Sequence, residues 1–286
     1  MAETYAETVA EARGADELVL VEREGAHAIV TLNDPDKLNP LSAPLTVRLR
    51  EVLTELAGEE ELRAVVLTGA GGAFSAGGDL RLMKDTAEPM LQGGGGAPQI
   101  WRWIRMEFGA IARLITRTDK AFVAAVDGPA AGVGLAFALA CDLLLVSERA
   151  RLVPAFGRIG LLPEVGTSWL LTRRLGYQRT FELFAGGRHV TGEEAAAMGL
   201  ANACVPPGQL TAAAREWCER IEGLPRHVTT MMKPLLRAAA DMTWDQAITM
   251  EEFAEPQCFT TREHRDAVAA LLGPTGAASA SGQGKH

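Results

Sequence analysis

Apolar positions along the chain recur with two periods, and the change of period divides it. Leu45, Leu49, Val52, Leu53 and Leu56 follow Ser42. Their spacing lays one stripe on a helix that a serine can cap. Before it, Leu18–Val21 and Ala28–Leu32 are short β-rich runs parted by Arg23-Glu24-Gly25, which predicts a hairpin. Asn33–Lys37 predicts a turn. Ala64–Thr68, Phe122–Val126 and Asp142–Val146 are apolar runs of strand length. The first two each run into a glycine-rich turn. A helix is predicted over Ile100–Ile115, with Trp101, Ile104, Phe108, Ile111 and Leu114 on one side, and another starts over Leu135–Leu139.

Beyond residue 154 the helical period dominates. Helices are predicted over Pro163–Leu175, Arg179–Phe184 and Thr191–Met198, the last opening on Thr191-Gly192-Glu193-Glu194 with acids in its first turn. Pro206-Pro207-Gly208 marks a boundary. Leu210–Ile221, His227–Ala240 and Thr243–Leu272 read as a helical region after it. The expected division is a disordered leader over 1–16, an α/β core over 17–208, a helical oligomerisation region over 209–272 and a disordered tail over 273–286. Gln92–Pro98, with four consecutive glycines, reads as a mobile loop, either a lid or a plain linker.

The chain has 286 residues, 48% apolar and 22% charged, with net charge −8 and scattered basic residues. This suits a globular protein with a sizeable core and argues against nucleic-acid or anionic-membrane partners. The longest apolar stretch, Ala121–Val146, is interrupted by Asp127, Gly128, Pro129 and Asp142, so no membrane span is expected. The leader has neither a basic nor an apolar signal-peptide region. Cys141, Cys204, Cys218 and Cys258 follow no zinc or disulfide spacing, and Cys141 reads as a buried free thiol. A reducing cytoplasm is the expected location. The five histidines form no helical pair, so no metal site is expected.

The chemistry sits in the two glycine turns. One is Gly71-Gly72-Ala73-Phe74-Ser75-Ala76-Gly77-Gly78-Asp79-Leu80; the other is Asp127-Gly128-Pro129-Ala130-Ala131-Gly132-Val133-Gly134. Two such turns can aim backbone N–H groups at one point and form an oxyanion hole. A dinucleotide fingerprint fails because Phe74 stands at the third glycine. A nucleophile elbow fails because Ser75 sits in Phe-Ser-Ala-Gly. Together with Asp36-Lys37-Leu38-Asn39, Gly160-Leu161-Leu162-Pro163-Glu164-Val165-Gly166-Thr167 and Thr191-Gly192-Glu193-Glu194-Ala195, these turns resemble, in order, the motifs of the crotonase (enoyl-CoA hydratase/isomerase) superfamily.

That resemblance implies an α/β fold, a crotonase-like spiral of ββα units with a C-terminal helical trimerisation region. It implies a homotrimer or a dimer of trimers acting on an acyl-CoA or enoyl-CoA thioester. Coenzyme A would enter as part of the substrate, with no separate cofactor. The oxyanion donors would be the N–H groups of Gly78 and Val133. Lys37, Leu38, Ala76, Gly78, Asp79, Leu80 and Gly132 would line the CoA end, although Asp79 also reads as a helix cap. The hydratase glutamates fall at Ala136 and Ala155, which cannot take a proton. Glu164 falls where isomerases of the family keep one carboxylate. Its other reading is a residue that caps or precedes a helix. Beside Leu162 and Val165 its pKa is expected to be raised. Double-bond isomerisation is the favoured activity. Enoyl-CoA hydration, thioester hydrolysis, C–C cleavage and non-catalytic acyl-CoA binding are the alternatives.

Overall fold

The computed structural model describes residues 5–91 and 96–280, with the side chains of 86–91 and 274–280 left aside. It falls into two compact units, Met1–Ile221 and Glu222–His286. The first is built on a six-stranded sheet. Its strands are β1 (Val19–Glu24), β2 (His27–Leu32), β4 (Ala64–Gly69), β6 (Ala121–Val126), β8 (Leu143–Ser147) and β11 (Ala203–Val205), in the order β1-β2-β4-β6-β8-β11. β1 and β2 form the expected hairpin, with Val21 opposite Val30. The other neighbours are parallel.

Strand alternation explains why the central strands are apolar throughout. Val65, Leu67, Phe122, Ala124 and Val126 enter one core cluster, while Ala64, Val66, Val123 and Ala125 enter another. A parallel strand covered on both faces has no position left for water. The first cluster is closed by α2 (Ala43–Gly58), whose predicted stripe is fully buried. The Ser42 side chain caps α2 by accepting from Leu45 N–H. The second cluster is closed by α10 (Leu210–Glu222), through Leu210, Ala214, Cys218 and Ile221. This burial holds α10 to the sheet and puts the boundary between units after Ile221, one helix beyond Pro206–Gly208.

Two small sheets lie outside the large one. β3 (Pro40–Leu41) pairs with β5 (Gly77–Gly78), and β10 (Val190–Thr191), β9 (Arg151–Val153) and β7 (Pro129–Ala131) form the other. α9 (Gly192–Ala197) opens on a capping box made by Thr191 and Glu194. α6 (Gly132–Ala140) is buried almost throughout, α7 covers Thr167–Leu175 and α8 covers Tyr177–Gly186. α3 covers Leu80–Leu91.

Four expectations are corrected. The helix predicted from Ile100 is α4 (Ala97–Trp103), a π-helical turn (Ile104–Phe108) and α5 (Gly109–Arg117). The wider turn rotates α5 about its axis relative to α4. Phe108, Ile111 and Ile115 are buried, whereas Trp101 is 59% exposed and leaves the predicted stripe. The helix predicted from Pro163 begins only at Thr167, because Val165 and Gly166 have positive φ. The leader carries a helix, α1 (Tyr5–Glu11), whose Tyr5 hydroxyl donates to Glu107 at 2.6 Å. The Thr243–Leu272 region is two helices, α12 (Trp244–Phe259) and α13 (Arg262–Ala280), the latter kinked at Gly273.

The second unit comprises α11 (Arg226–Ala239), α12 and α13. It exposes Leu236, Trp244, Phe253 and Leu271. Of the expected loop over Gln92–Pro98, residues 92–95 lie outside the described residues, while Ala97 and Pro98 open α4; of the expected disordered tail over 273–286, residues 281–286 lie outside them, while residues 273–280 continue α13. Among those described, no helix is long and apolar enough to cross a membrane.

Candidate active site

The first glycine turn is built around Asn39. Leu38 (φ 63°) and Asn39 (φ 53°) are consecutive left-handed residues, a conformation asparagine tolerates better than leucine. The Asn39 side chain is fully buried. Its Nδ2 donates to the carbonyls of Ala70 (2.9 Å) and Ala73 (2.8 Å), and its Oδ1 accepts from Asp34 N–H at 2.8 Å. The Leu38 carbonyl accepts from Ala76 N–H at 2.8 Å. Lys37, Leu38 and Ala76 are thereby brought to one edge of the turn. Lys37 is exposed and pairs with Asp34 at 3.1 Å. Asp79 caps α3, its Oδ1 accepting from Arg81 N–H (2.9 Å) and Leu82 N–H (3.4 Å). The capping reading of Asp79 therefore holds. Leu80 is 63% exposed.

The two glycine turns meet back to back. Gly77 (φ 88°) lies so close to the second turn that a Cβ there would stand 2.6 Å from the Ala131 carbonyl. Only glycine fits that approach and that φ. A Cβ on Gly78 would run into the Met83 methyl. In the second turn positive φ falls on Gly128 (60°) and Gly132 (49°), not on Val133. Val133 is an ordinary helical residue with a buried side chain, so β-branching is compatible with its place. Its N–H lies in the first turn of α6, where the helix supplies no acceptor and the macrodipole is positive. Gly78, Gly132 and Val133 thus come from two turns in direct backbone contact.

Glu164 lies in the turn between a 3₁₀ segment (Ala155–Ile159) and α7. Its backbone carbonyl accepts from the N–H (3.0 Å) and the hydroxyl (2.7 Å) of Thr167. The next residue, Val165, has φ 57°, which for a β-branched side chain is a strained outlier. The Glu164 side chain is half-buried, and its Oε2 is buried without a hydrogen-bond partner. Desolvation raises its pKa to about 7. α7 packs on α6, and Arg174 of α7 donates to the Leu139 carbonyl at 2.9 Å. The helix that follows Glu164 and the helix whose first turn carries Val133 are therefore neighbours. Ala136 is fully buried on α6 and Ala155 is half-buried.

Other features lie apart from these residues. A cavity of 590 Å³ is lined by Tyr5, Arg13, Arg50, Met106 and Leu114 among others, and by none of the site residues. Beside it the buried Glu107 carboxylate accepts from Arg50 at 2.7 Å and from Tyr5, whose own pKa is pushed to about 12 mainly by burial. No three His, Cys, Asp or Glu come together as a metal site among the described residues.

Residues 22–272 match the model of the enoyl-CoA hydratase/isomerase family, and the chain belongs to that family. It is 28% identical to 1,2-epoxyphenylacetyl-CoA isomerase of Escherichia coli, over 90% of this chain and 95% of that one. It is 29% identical to short-chain-enoyl-CoA hydratase of Clostridium acetobutylicum, over 89% and 94%. A crystal structure of enoyl-CoA hydratase from Bacillus anthracis superposes with a TM-score of 0.80 at 26% identity, covering 89% of this chain and 95% of that one. The fold is the crotonase fold, and the chain is an enzyme of this family.

Proposed function

We propose that this enzyme isomerises the double bond of an enoyl-CoA, with Gly78 and Val133 N–H groups as oxyanion donors and Glu164 as its single acid/base. The observation that carries the reading is the carboxylate inventory. Alanines stand at 136 and 155, while Glu164 keeps a buried, unpartnered oxygen and a pKa of about 7. Polarising the thioester carbonyl makes the α-carbon acidic, and each such donor is worth about 10²–10³ in rate. Glu164 takes a proton from C2 of a 3-enoyl-CoA, leaving a dienolate whose negative charge rests on the thioester oxygen. The same carboxyl returns the proton at C4, and the double bond ends between C2 and C3. A group that titrates near neutrality is suited to both halves. Syn hydration requires a second group to hold water, and the alanines offer none.

In this reading Lys37, Leu38, Ala76, Gly132 and Leu80 border the CoA moiety, which is the only cofactor-like group required. The exposed apolar side chains of α11–α13 suit burial against other copies in a trimer or a dimer of trimers, since apolar patches of this kind mark interaction surfaces. The cytoplasm is the proposed location. The test is Glu164→Gln, which should abolish isomerisation of a 3-enoyl-CoA while leaving the circular dichroism spectrum unchanged. Retained turnover would exclude Glu164 as the acid/base.

A further inference from the structure

Ser75 is a fully buried hydroxyl that the proposed chemistry leaves unused. It makes no nucleophile, since it is sealed from solvent. What it does make is a set of bonds to both glycine turns at once. Its hydroxyl donates to the Asn39 carbonyl at 2.7 Å and accepts from Gly77 N–H at 3.1 Å. Its carbonyl accepts from Ala131 N–H at 2.9 Å, and its own N–H donates to the Pro129 carbonyl at 3.0 Å. It also forms an isolated parallel bridge with Ala130. The start of α6 rests on its side chain, because a Cβ on Gly134 would come within 2.6 Å of Ser75 Cβ. One residue therefore touches the segment ending at Asn39, the residue before Gly78 and the residues just ahead of Val133.

We propose that Ser75 is a positioning residue that fixes the orientation and spacing of the Gly78 and Val133 N–H donors. The inference rests on the reading of those two groups as the oxyanion hole. Its physical basis is that a buried polar group left unpaired must find another partner. Removing the hydroxyl orphans Gly77 N–H and the Asn39 carbonyl, and rotation of the Ala76–Gly77 peptide towards another partner turns the adjoining Gly78 with it. A donor displaced by even a fraction of an ångström loses much of its effect on the transition state.

The experiment uses the full chain and hexanoyl-CoA labelled with ¹³C at the thioester carbonyl, a saturated probe without a double bond to move. Infrared difference spectra give the carbonyl stretch of the bound probe, and kinetics with a 3-hexenoyl-CoA give kcat and KM. In the wild type the stretch should lie below that of the free probe. In Ser75→Ala it should move back towards the free value, with kcat down about 10- to 100-fold and KM changed less than about 3-fold. Ser75→Cys, nearly isosteric, should restore part of both. A folded Ser75→Ala protein with the wild-type stretch and kcat overturns the proposal. Should Ser75→Ala not fold, Ser75→Cys decides alone, since its thiol is a poorer partner and a wild-type stretch there also overturns it. A wild type that leaves the free stretch unchanged instead rejects the oxyanion reading, and the role of Ser75 with it.

Discussion

Replacing Glu164 by glutamine should remove activity and, at alkaline pH, stabilise the fold. The carboxyl titrates at about 7 in the folded chain against an ordinary value of 4.5, and the cause is desolvation. Between those values the native state holds a proton that the unfolded chain has released. Stability therefore falls as pH rises through this window, and the cost is complete above the folded value. At 1.36 kcal/mol per pKa unit, the cost comes to about 1 kcal/mol near pH 5 and about 3 kcal/mol near pH 8.5. Residual solvent contact at the half-buried carboxyl makes the second figure an upper value. Glutamine has no such titration. Urea unfolding at fixed protein concentration should show Glu164→Gln gaining about 2 kcal/mol on the wild type between these two pH values. Over the same range wild-type kcat/KM should rise with an apparent pKa near 7, as the carboxylate needed for proton abstraction forms. A stability difference that stays flat with pH would refute the assignment of a desolvated, neutral Glu164.

Three further substitutions probe other parts of the account. Val133→Pro deletes one donor at a first-turn position where proline is tolerated; kcat should fall about 10²- to 10³-fold with little change in melting temperature, and unchanged kcat would count against Val133 as a donor. Val165→Gly should change stability by less than about 1 kcal/mol in urea titration, because relief of about 1–2 kcal/mol of left-handed strain offsets the lost side-chain burial; a loss of several kcal/mol would show that the strain is not relieved. Arg50→Met leaves the buried Glu107 carboxylate without its guanidinium and should cost about 3–5 kcal/mol in the same assay, whereas a loss below about 1 kcal/mol would contradict the Arg50–Glu107 pair as a support of this region.

What is legible in the sequence is local. The α2 stripe, the Ser42 cap, the helix start at Thr191–Glu194 and the β1–β2 hairpin depend on residues a few positions apart, and all four stand in the structure. The two glycine turns are legible as turns because Gly77 and Gly132 need conformations other residues avoid. The two- and three-residue strands β3, β5, β7, β9 and β10 are not, since runs so short carry no periodicity and their partners lie far along the chain. Nothing around Ile104–Phe108 marks a π-helical turn, so an unbroken helical period puts Trp101 on the wrong face. Pro163-Glu164 resembles a helix start, and no sequence signal announces a valine in the left-handed region. Ser75 stands in plain view within its motif, yet its meaning comes from Asn39, Gly77 and Ala131. Two of those three partners are dozens of residues away. Glu107 reads as one charge on a helix, and only its pairing with Arg50 and Tyr5 reveals a buried carboxylate.

The most direct test of the central claim tracks a 3-enoyl-CoA and a 2-enoyl-CoA by NMR as the wild-type enzyme turns them over in D₂O. A lone Glu164 shuttle moves the double bond between C3 and C2, washes deuterium into the carbons it protonates and makes no hydroxyl product. A 3-hydroxyacyl-CoA formed without double-bond migration would contradict the account, and would require a water-activating group at a position where the chain holds Ala136 and Ala155.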